Sequence, residues 1–377
     1  MFYINSIKLN NFRCYSSKAI AFSPNINIIY GQNAVGKTTV LESIAYLGLL
    51  KSFRDAKDAD LIKNDESYFF INGKFNDDED KNMVDIVVSY NDKGKHIKKN
   101  SYIYQKNSDY IGYFNVVSFD PSDLELVKGA KALRRRFLNI NISQIDKEYM
   151  LSLMKYNKIL KKRNEYLKND DKKAVDMVYL DTLTTLLAEE AKYIIRKRKE
   201  FIEELNPYIR ECSLKMTEGK EEVELTFSPN SDELNVEKEY KSKERYDIAA
   251  KKTTVGPHRD DILVLINKKD ADIYASQGQV RTAVIAIKLA LSEYMKKIND
   301  KQIILLDDVF SELDMQRQED LLNILSEKNQ IFITSTGIEH INQAILSKSN
   351  LIEFRKEEQV WVFSKKTKTI KQKTKII

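Results

Sequence analysis

Two apolar periods alternate along this chain, and the points where one gives way to the other mark its elements. Between residues 3 and 30, Ile4, Ile7 and Leu9 precede a polar Asn10-Asn11 patch. Phe22-Ser23-Pro24-Asn25 is a turn signal and Ile26-Asn27-Ile28-Ile29-Tyr30 a β-branched run, so this stretch predicts two strands around a turn. Over 38–50, Val40, Leu41, Ile44, Leu47 and Leu50 take helical spacing. Residues 68–75 and 83–90 alternate apolar with polar and predict an antiparallel meander, with Asp77-Asp78-Glu79-Asp80 as a solvated hairpin loop. Tyr102 and Tyr104 alternate in the manner of an edge strand. The helical period returns over 144–167 (Ile145, Tyr149, Leu153, Tyr156, Leu160, Leu167) and again from Val175 to Leu205, where Asn206-Pro207 is expected to end the helix. The polar connection Lys168–Lys173 between them predicts an antiparallel helical hairpin. Residues 222–227 and 262–266 read as strands. Helix 279–298, strand Ile303–Leu306, helix 315–327 and strand Ile331–Ile333 then alternate as in an α/β fold with buried parallel strands.

The chain has 377 residues, above the ~150-residue norm for a domain, so one large or two unequal domains are expected. An apolar fraction of 42% supplies a sizeable core and argues against disorder. Two cysteines, Cys14 and Cys212, and three histidines, His96, His258 and His340, exclude a disulfide scaffold and a zinc site built from several such residues. Reduced thiols and the want of a secretion-type N-terminus lead us to expect a cytoplasmic protein, and no apolar run approaches the ~18 residues of a membrane span. The net charge of +6 names no partner, but its distribution does. Lys128–Arg163 holds eleven basic and two acidic residues, net +9, which leaves −3 for the rest. The lysine-rich tail 359–377 reads as a frayed terminus.

Gly31-Gln32-Asn33-Ala34-Val35-Gly36-Lys37-Thr38 has the spacing G-x-x-x-x-G-K-[ST], between a predicted strand and a predicted helix. Glycines permit a tight loop whose amides face a triphosphate, and the helix adds its positive N-terminus. Lys37 suits the β- and γ-phosphates, and the Thr38 hydroxyl suits Mg²⁺. Asp307-Asp308 follow the apolar strand Ile303–Leu306, at the edge where α/β sheets bind ligands. There Asp307 would hold Mg²⁺ and Asp308 would orient water or act as base. Ser276-Gln277-Gly278-Gln279 opens a helix, and Ser276 taken alone is an ordinary N-cap. His258, beside Arg259-Asp260-Asp261, lacks a second histidine and points to a structural or phosphate-network role rather than a metal. His96 and His340 read as surface residues.

With Ser311-Glu312-Leu313-Asp314, the arrangement resembles the ABC-type ATPase heads shared by transporters and SMC-like chromosome proteins. Within that group it is most similar to the RecF family of bacterial recombination mediators. The similarity runs through Asn11-Phe12-Arg13, the phosphate loop, Lys51-Ser52-Phe53-Arg54, Asp120–Gly129, Arg134–Leu138, Lys162-Arg163-Asn164, Val255–Asp261, Ala275–Thr282 and Leu306–Asp314. It implies an α/β fold: an ABC/SMC-like ATPase head (mixed sheet with flanking helices) plus a helical second lobe containing the helical hairpin. The implied divisions are 1–121, 122–250 and 251–377.

The implied function is an ATP- and Mg²⁺-dependent DNA-binding protein of replication and repair. Residues 31–38 with Thr39 would hold ATP, Thr38 and Asp307 the Mg²⁺, with Lys37 and Asp308 catalytic. Ser276, Gly278 and Gln279 of a second subunit would cover the nucleotide, so that ATP closes a homodimer on duplex or gapped DNA and slow hydrolysis releases it. Implied partners are RecR and, through it, RecO and RecA. Arg134, Arg135, Arg136, Lys155, Lys158, Lys161, Lys162 and Arg163 are candidate contacts to DNA phosphates, and Arg54 a link between DNA and hydrolysis. The chain departs from the wider pattern in several places. Asp308 stands where transporters carry Glu, Thr334-Ser335-Thr336 where they carry a switch His, Ser118-Phe119-Asp120 lacks the usual Gln, and Asn139 replaces a common Asp. The rival readings are a transporter ATPase subunit, an SMC-like ATPase of another pathway, a nuclease-linked ATPase of the overcoming-lysogenisation type, and a DNA-binding module without turnover. The first gives no reason for a basic helical hairpin, and the nuclease needs an acidic metal cluster for which the length leaves no room.

Overall fold

The first apolar stretch folds into three strands rather than two. β1 (Tyr3–Phe12) and β2 (Tyr15–Ala21) form an antiparallel hairpin, and β3 (Ile26–Gly31) runs into the phosphate loop. β2 escapes the apolar pattern because it is an edge strand that buries only Ile20. The computed structural model describes residues 1–78, 82–168, 176–325, 329–355, 360–362 and 371–373. Helix α1 (Lys37–Leu49) follows the loop. Then β4 (Phe69–Asp77), β5 (Asn82–Asn91), β6 (Gly94–Lys99) and β7 (Tyr102–Tyr104) complete a six-stranded antiparallel sheet in the order β2-β1-β4-β5-β6-β7. Asp77 is not part of a solvated loop: it is buried at the end of β4, accepting from the Tyr113 hydroxyl and Lys301 Nζ, each at 2.8 Å. Glu79 and Asp80 of the expected hairpin lie outside the described residues.

β8 (Asn115–Phe119) leads into the second lobe. That lobe comprises α2 (Glu125–Lys128), α3 (Lys131–Ile145), α4 (Lys147–Lys168), α5 (Met177–Met216), β9 (Val223–Ser228) and α6 (Val236–Ala250). Contacts from Arg163 to Thr184, Lys155 to Glu190 and Tyr149 to Arg198 run in opposite directions along α4 and α5, so the pair is antiparallel. The connection Lys168–Lys173 lies, beyond Lys168, outside the described residues. Pro207 does not end α5, which continues to Met216. Asn206 brackets the backbone of Leu225 with bonds of 2.9 and 2.8 Å, and Ile209 and Cys212 beyond the proline are buried. Tertiary packing thus overrides a proline that removes one helical hydrogen bond.

β10 (Asp261–Ile266) and β11 (Lys269–Asp270) join β9 in a three-stranded sheet. A division at residue 250 therefore separates two strands that pair along their length. α7 (Ala271–Tyr274), α8 (Gln277–Ile298), β12 (Gln302–Asp307), α9 (Met315–Leu325), β13 (Gln330–Ser335), α10 (Gln343–Leu346) and β14 (Ser349–Phe354) return to the head. Its second sheet is parallel throughout, ordered β14-β3-β13-β12-β8. Both faces of its inner strands β12 and β13 are covered, and every residue of the two is buried, whereas the edge strand β14 buries only Phe354. Ile28, Ile304, Leu306, Ile331 and Ile333 face a core shared with the helical lobe, whereas Ile29, Ile303, Leu305 and Phe332 face α1 and the antiparallel sheet. From the tail, only the short strands Val360–Val362 and Lys371–Lys373 fall within the described residues. Among the described residues no helix is long and apolar enough to cross a membrane.

Candidate nucleotide-binding site

The C-terminal ends of β3, β13 and β12 lie side by side, with Thr334 paired in register with Asp307. Residues far apart in sequence therefore meet at one sheet edge, where α/β folds bind ligands. The loop between β3 and α1 turns through Gly31 (φ 147°), Ala34 (φ 65°) and Gly36 (φ 97°). A Cβ on Gly36 would lie 2.2 Å from the Tyr15 hydroxyl, so this position needs glycine for space as well as for its dihedral. Tyr15 braces the loop by donating to Val35 O at 3.2 Å.

Lys37 Nζ donates to the carbonyls of Gly31 (2.6 Å) and Gln32 (2.8 Å), which holds the ammonium over the loop. Burial lowers its pKa, opposed by Asp308 and Asp307. Thr38 Oγ1 and Thr334 Oγ1 donate to Asp307 Oδ1 at 2.8 and 2.6 Å. Burial raises the Asp307 pKa against those two bonds. Asp308 sits at φ 55° with its amide donating to Thr334 Oγ1 at 3.0 Å, and its Oδ1 is buried without a hydrogen-bond partner among the described residues. A hydroxyl and a carboxylate in contact, beside a second, unsatisfied carboxylate oxygen, are the all-oxygen donor set that suits a hard cation such as Mg²⁺. Gly36, Lys37, Thr38, Thr39, Asp307, Asp308 and Thr334, with Cys14, Asn33, Ala34, Arg54 and Thr336, line one cleft of about 340 Å³.

The sequence marks Thr334 only as standing where transporters carry a histidine. Its role follows from strand register, and strands of equal length that end at one edge are the signal that could have found it. Tyr15 has no signal in the sequence, because the apolar pattern does not predict β2. Arg54 lies on the cleft wall, its turn fixed by a relay: Arg13 pairs with buried Glu42 (2.7 Å), Ser52 Oγ donates to Glu42 at 2.5 Å, and the Arg54 amide donates to Ser52 Oγ at 3.0 Å.

Ser276, Gly278 and Gln279 do not line the cleft of their own chain. Ser276 caps α8, exchanging bonds of 3.3 and 3.0 Å with Gln279, and is exposed, with open space around Gly278. The basic segment divides. Arg163 is fully buried, paired with Asp247 at 2.7 Å, and Arg134 is buried in a two-toothed pair with Asp261 at 2.6 and 3.0 Å. Both expectations of DNA contact are corrected by this burial, since neither guanidinium can reach a backbone phosphate. Arg135 and Arg136 are half-buried, Arg136 held by Asp55 at 2.6 Å. Lys155, Lys158, Lys161 and Lys162 are exposed along α4. His258 is fixed rather than metal-like: Nδ1 lies 2.6 Å from the Tyr156 hydroxyl and Nε2 3.2 Å from Thr253 O, and burial lowers its pKa to about 4.

A phosphate loop at one end of a parallel sheet, paired aspartates on a neighbouring strand and a helical lobe inserted between them define a nucleotide-binding head of the SMC-like kind. Solved SMC head domains show the same fold, one from Pyrococcus furiosus matching with a TM-score of 0.53 at 16% identity over 94% of each chain. The model of the "RecF/RecN/SMC N terminal domain" family matches residues 3–362. "DNA replication and repair protein RecF" of Halalkalibacterium halodurans is 39% identical over 93% of this chain and 97% of its own, and that of Clostridium perfringens SM101 is 40% identical over 90% and 94%. A solved structure of the recombination mediator protein RecF with ATP, in the RecFOR pathway, matches with a TM-score of 0.84 at 32% identity, over 90% of this chain and 94% of that one. The chain belongs to the RecF family.

Proposed function

We propose that this protein is an ATP-dependent DNA-binding ATPase of DNA replication and recombinational repair. Two copies join head to tail through bound nucleotide and close on DNA near a single-strand gap. The observation that carries the reading is that the phosphate loop and the Ser276 turn do not meet within one chain. The loop, Lys37, Thr38 and Asp307 stand together, while the Ser276 turn, a helix N-terminus suited to an anion, is exposed away from them. Two such molecules placed head to tail supply to each cleft what it lacks.

The chain's own residues divide the work. Loop amides and Lys37 bind the phosphates. Thr38 and Asp307 would hold Mg²⁺, whose chemistry when bound is to neutralise charge on the phosphate oxygens. Asp308 orients water toward the γ-phosphate, with its backbone fixed by Thr334. An aspartate there is one methylene shorter than a glutamate, which suits a slow timer. The exposed lysines of α4 supply phosphate contacts without sequence preference. The names of the relatives and the pathway of the solved RecF support repair as the setting, with RecR, and through it RecO and RecA, as partners.

Size-exclusion chromatography with ATP, with and without gapped DNA, tests this. The parent shifts to a dimer with ATP and is retained on DNA, while Lys37→Ala and Ser276→Arg remain monomeric. Pairing by both variants equal to the parent's would overturn nucleotide-gated dimerisation. DNA is expected to stimulate this weak ATPase, and phosphate release that DNA leaves unchanged would overturn that.

A further inference from the structure

Three stretches converge on a second cavity, of about 620 Å³, between head and helical lobe, through residues other than those that line the nucleotide cleft. They are the turn around Lys51–Asp58, the arginine run of α3, and Pro257-His258. The lining carries five cations, Lys51, Lys57, Arg135, Arg136 and Arg198, against two carboxylates, Asp55 and Asp58. Both carboxylates are engaged, Asp55 with Arg136 at 2.6 Å and Asp58 with Lys95 at 3.2 Å. Arg198 is neutralised by Asp260 at 2.8 Å and donates to Asn139 Oδ1, also at 2.8 Å. Lys51, Lys57 and Arg135 remain, with no carboxylate partner among the described residues. Arg135 spends one donor on the carbonyl of Asp260 at 2.9 Å. His258 adds no charge near neutral pH.

Three unneutralised cations facing one partly enclosed space repel one another, and an anion of more than one charge relieves that repulsion. A guanidinium beside two ammonium groups, with the Asn157 amide close by, suits a phosphate group better than a single carboxylate, which would engage one cation and leave two. Lys51 and Lys57 belong to the head and Arg135 to the lobe, so an occupant spans the two. We propose that this cavity is a binding site for a phosphate-bearing anion, with Arg135, Lys51 and Lys57 as its ligands. The phosphate belongs either to a nucleic-acid backbone or to a free polyphosphate. The site does not depend on the nucleotide reading, for none of its residues lines the nucleotide cleft.

Calorimetric titration of the full-length chain with inorganic pyrophosphate tests it, in a Lys37→Ala background that silences the phosphate loop. A parallel arm titrates a short DNA duplex across a range of salt, with the phosphate loop intact and ATP present. In Arg135→Gln, and separately in Lys51→Gln with Lys57→Gln, pyrophosphate affinity should fall about tenfold, the scale of one charge-assisted hydrogen bond. If the source is nucleic acid, the same variants also weaken duplex binding and flatten its logarithmic salt dependence by about 0.9 for each DNA phosphate they no longer neutralise. If it is a free polyphosphate, only the pyrophosphate arm moves. The lysine pair is exposed, so it carries the test even should Arg135→Gln fold poorly. Pyrophosphate and duplex affinities both equal to those of the respective backgrounds, in variants of unchanged circular dichroism, would overturn the proposal.

Discussion

The nucleotide cleft and the helical lobe both set cations against carboxylates, yet they build those pairs by opposite means. In the cleft, Lys37 is held by carbonyls five and six residues away, and Asp307 is reached from neighbouring elements at one sheet edge. The backbone makes the site, and the charges are left facing an open space. In the lobe, Arg163 reaches Asp247 across 84 residues in a pair with no exposure to water, and Arg134 reaches Asp261 across 127 in a pair that is largely buried. There the charges hold the structure. Basic residues in one run of sequence can thus be ligands or rivets, and burial decides which.

The sharpest way to break this contrast is to remove a rivet. Arg163→Met leaves Asp247 buried without its ion pair and should lower the unfolding free energy by about 3–5 kcal/mol. Replacing both residues together by apolar ones should recover most of that loss, because no isolated charge then remains. Urea denaturation followed by circular dichroism measures both. A loss under about 1 kcal/mol for the single variant would place Arg163 among the ligands instead.

Next comes the cleft's own cation. Lys37→Ala should weaken nucleotide binding about 100-fold, near 2.7 kcal/mol, while melting stays close to the parent's, since its native bonds run only to two loop carbonyls. Fluorescent-nucleotide titration alongside thermal melting separates the two readouts. A large fall in melting temperature with nucleotide affinity retained would show that Lys37 braces the loop rather than binds.

Between the two regions stands Asp123, paired with Lys288 of α8 at 2.5 Å. Burial pushes its pKa up to about 6 from 3.8; Lys288 opposes the shift and Asp120 adds to it. The folded state therefore keeps this proton where the unfolded state has released it, so stability from this group rises as pH falls from about 6 to about 4. Asp123→Asn should remove about 1–2 kcal/mol of that pH dependence, as read from urea midpoints at either end of the window. An identical profile in the variant would mean that the carboxyl is hydrated and that the head–lobe junction is looser than its hydrogen bonds describe.

The same contrast explains what could be read from the sequence. The phosphate loop, its strand and its helix are contiguous, so spacing alone specifies them. The aspartates at 307–308 are legible because a continuous apolar run is how a strand buried on both faces reads. Thr334 and Tyr15 become visible only through register and through an edge strand with a single buried side chain. Pro207 misleads because its cost is local, whereas the contacts that carry α5 past it, from Asn206 to Leu225 and from Ser213 to Val223, come from β9. The arginines are the hardest case. Sequence counts charge, but only the fold shows that Asp247 and Asp261 neutralise Arg163 and Arg134 internally.

The smallest stability effects should fall on the exposed lysines, which makes them the cleanest probe of the ligand half of the contrast. Lys158, Lys161 and Lys162 lie in solvent on α4, and the ion pair that Lys161 makes with Glu165 is long at 3.8 Å. Each change to Gln should alter unfolding free energy by less than about 0.5 kcal/mol, the scale of an exposed i,i+4 pair. If these side chains meet DNA, each substitution should still weaken duplex binding at low salt and reduce the slope of log affinity against log salt by about 0.9. Fluorescence anisotropy over a salt series reads that slope directly. A triple variant with the parent's slope would move the DNA face off α4 altogether, since a lysine that touches a phosphate cannot be removed without releasing fewer counterions on binding.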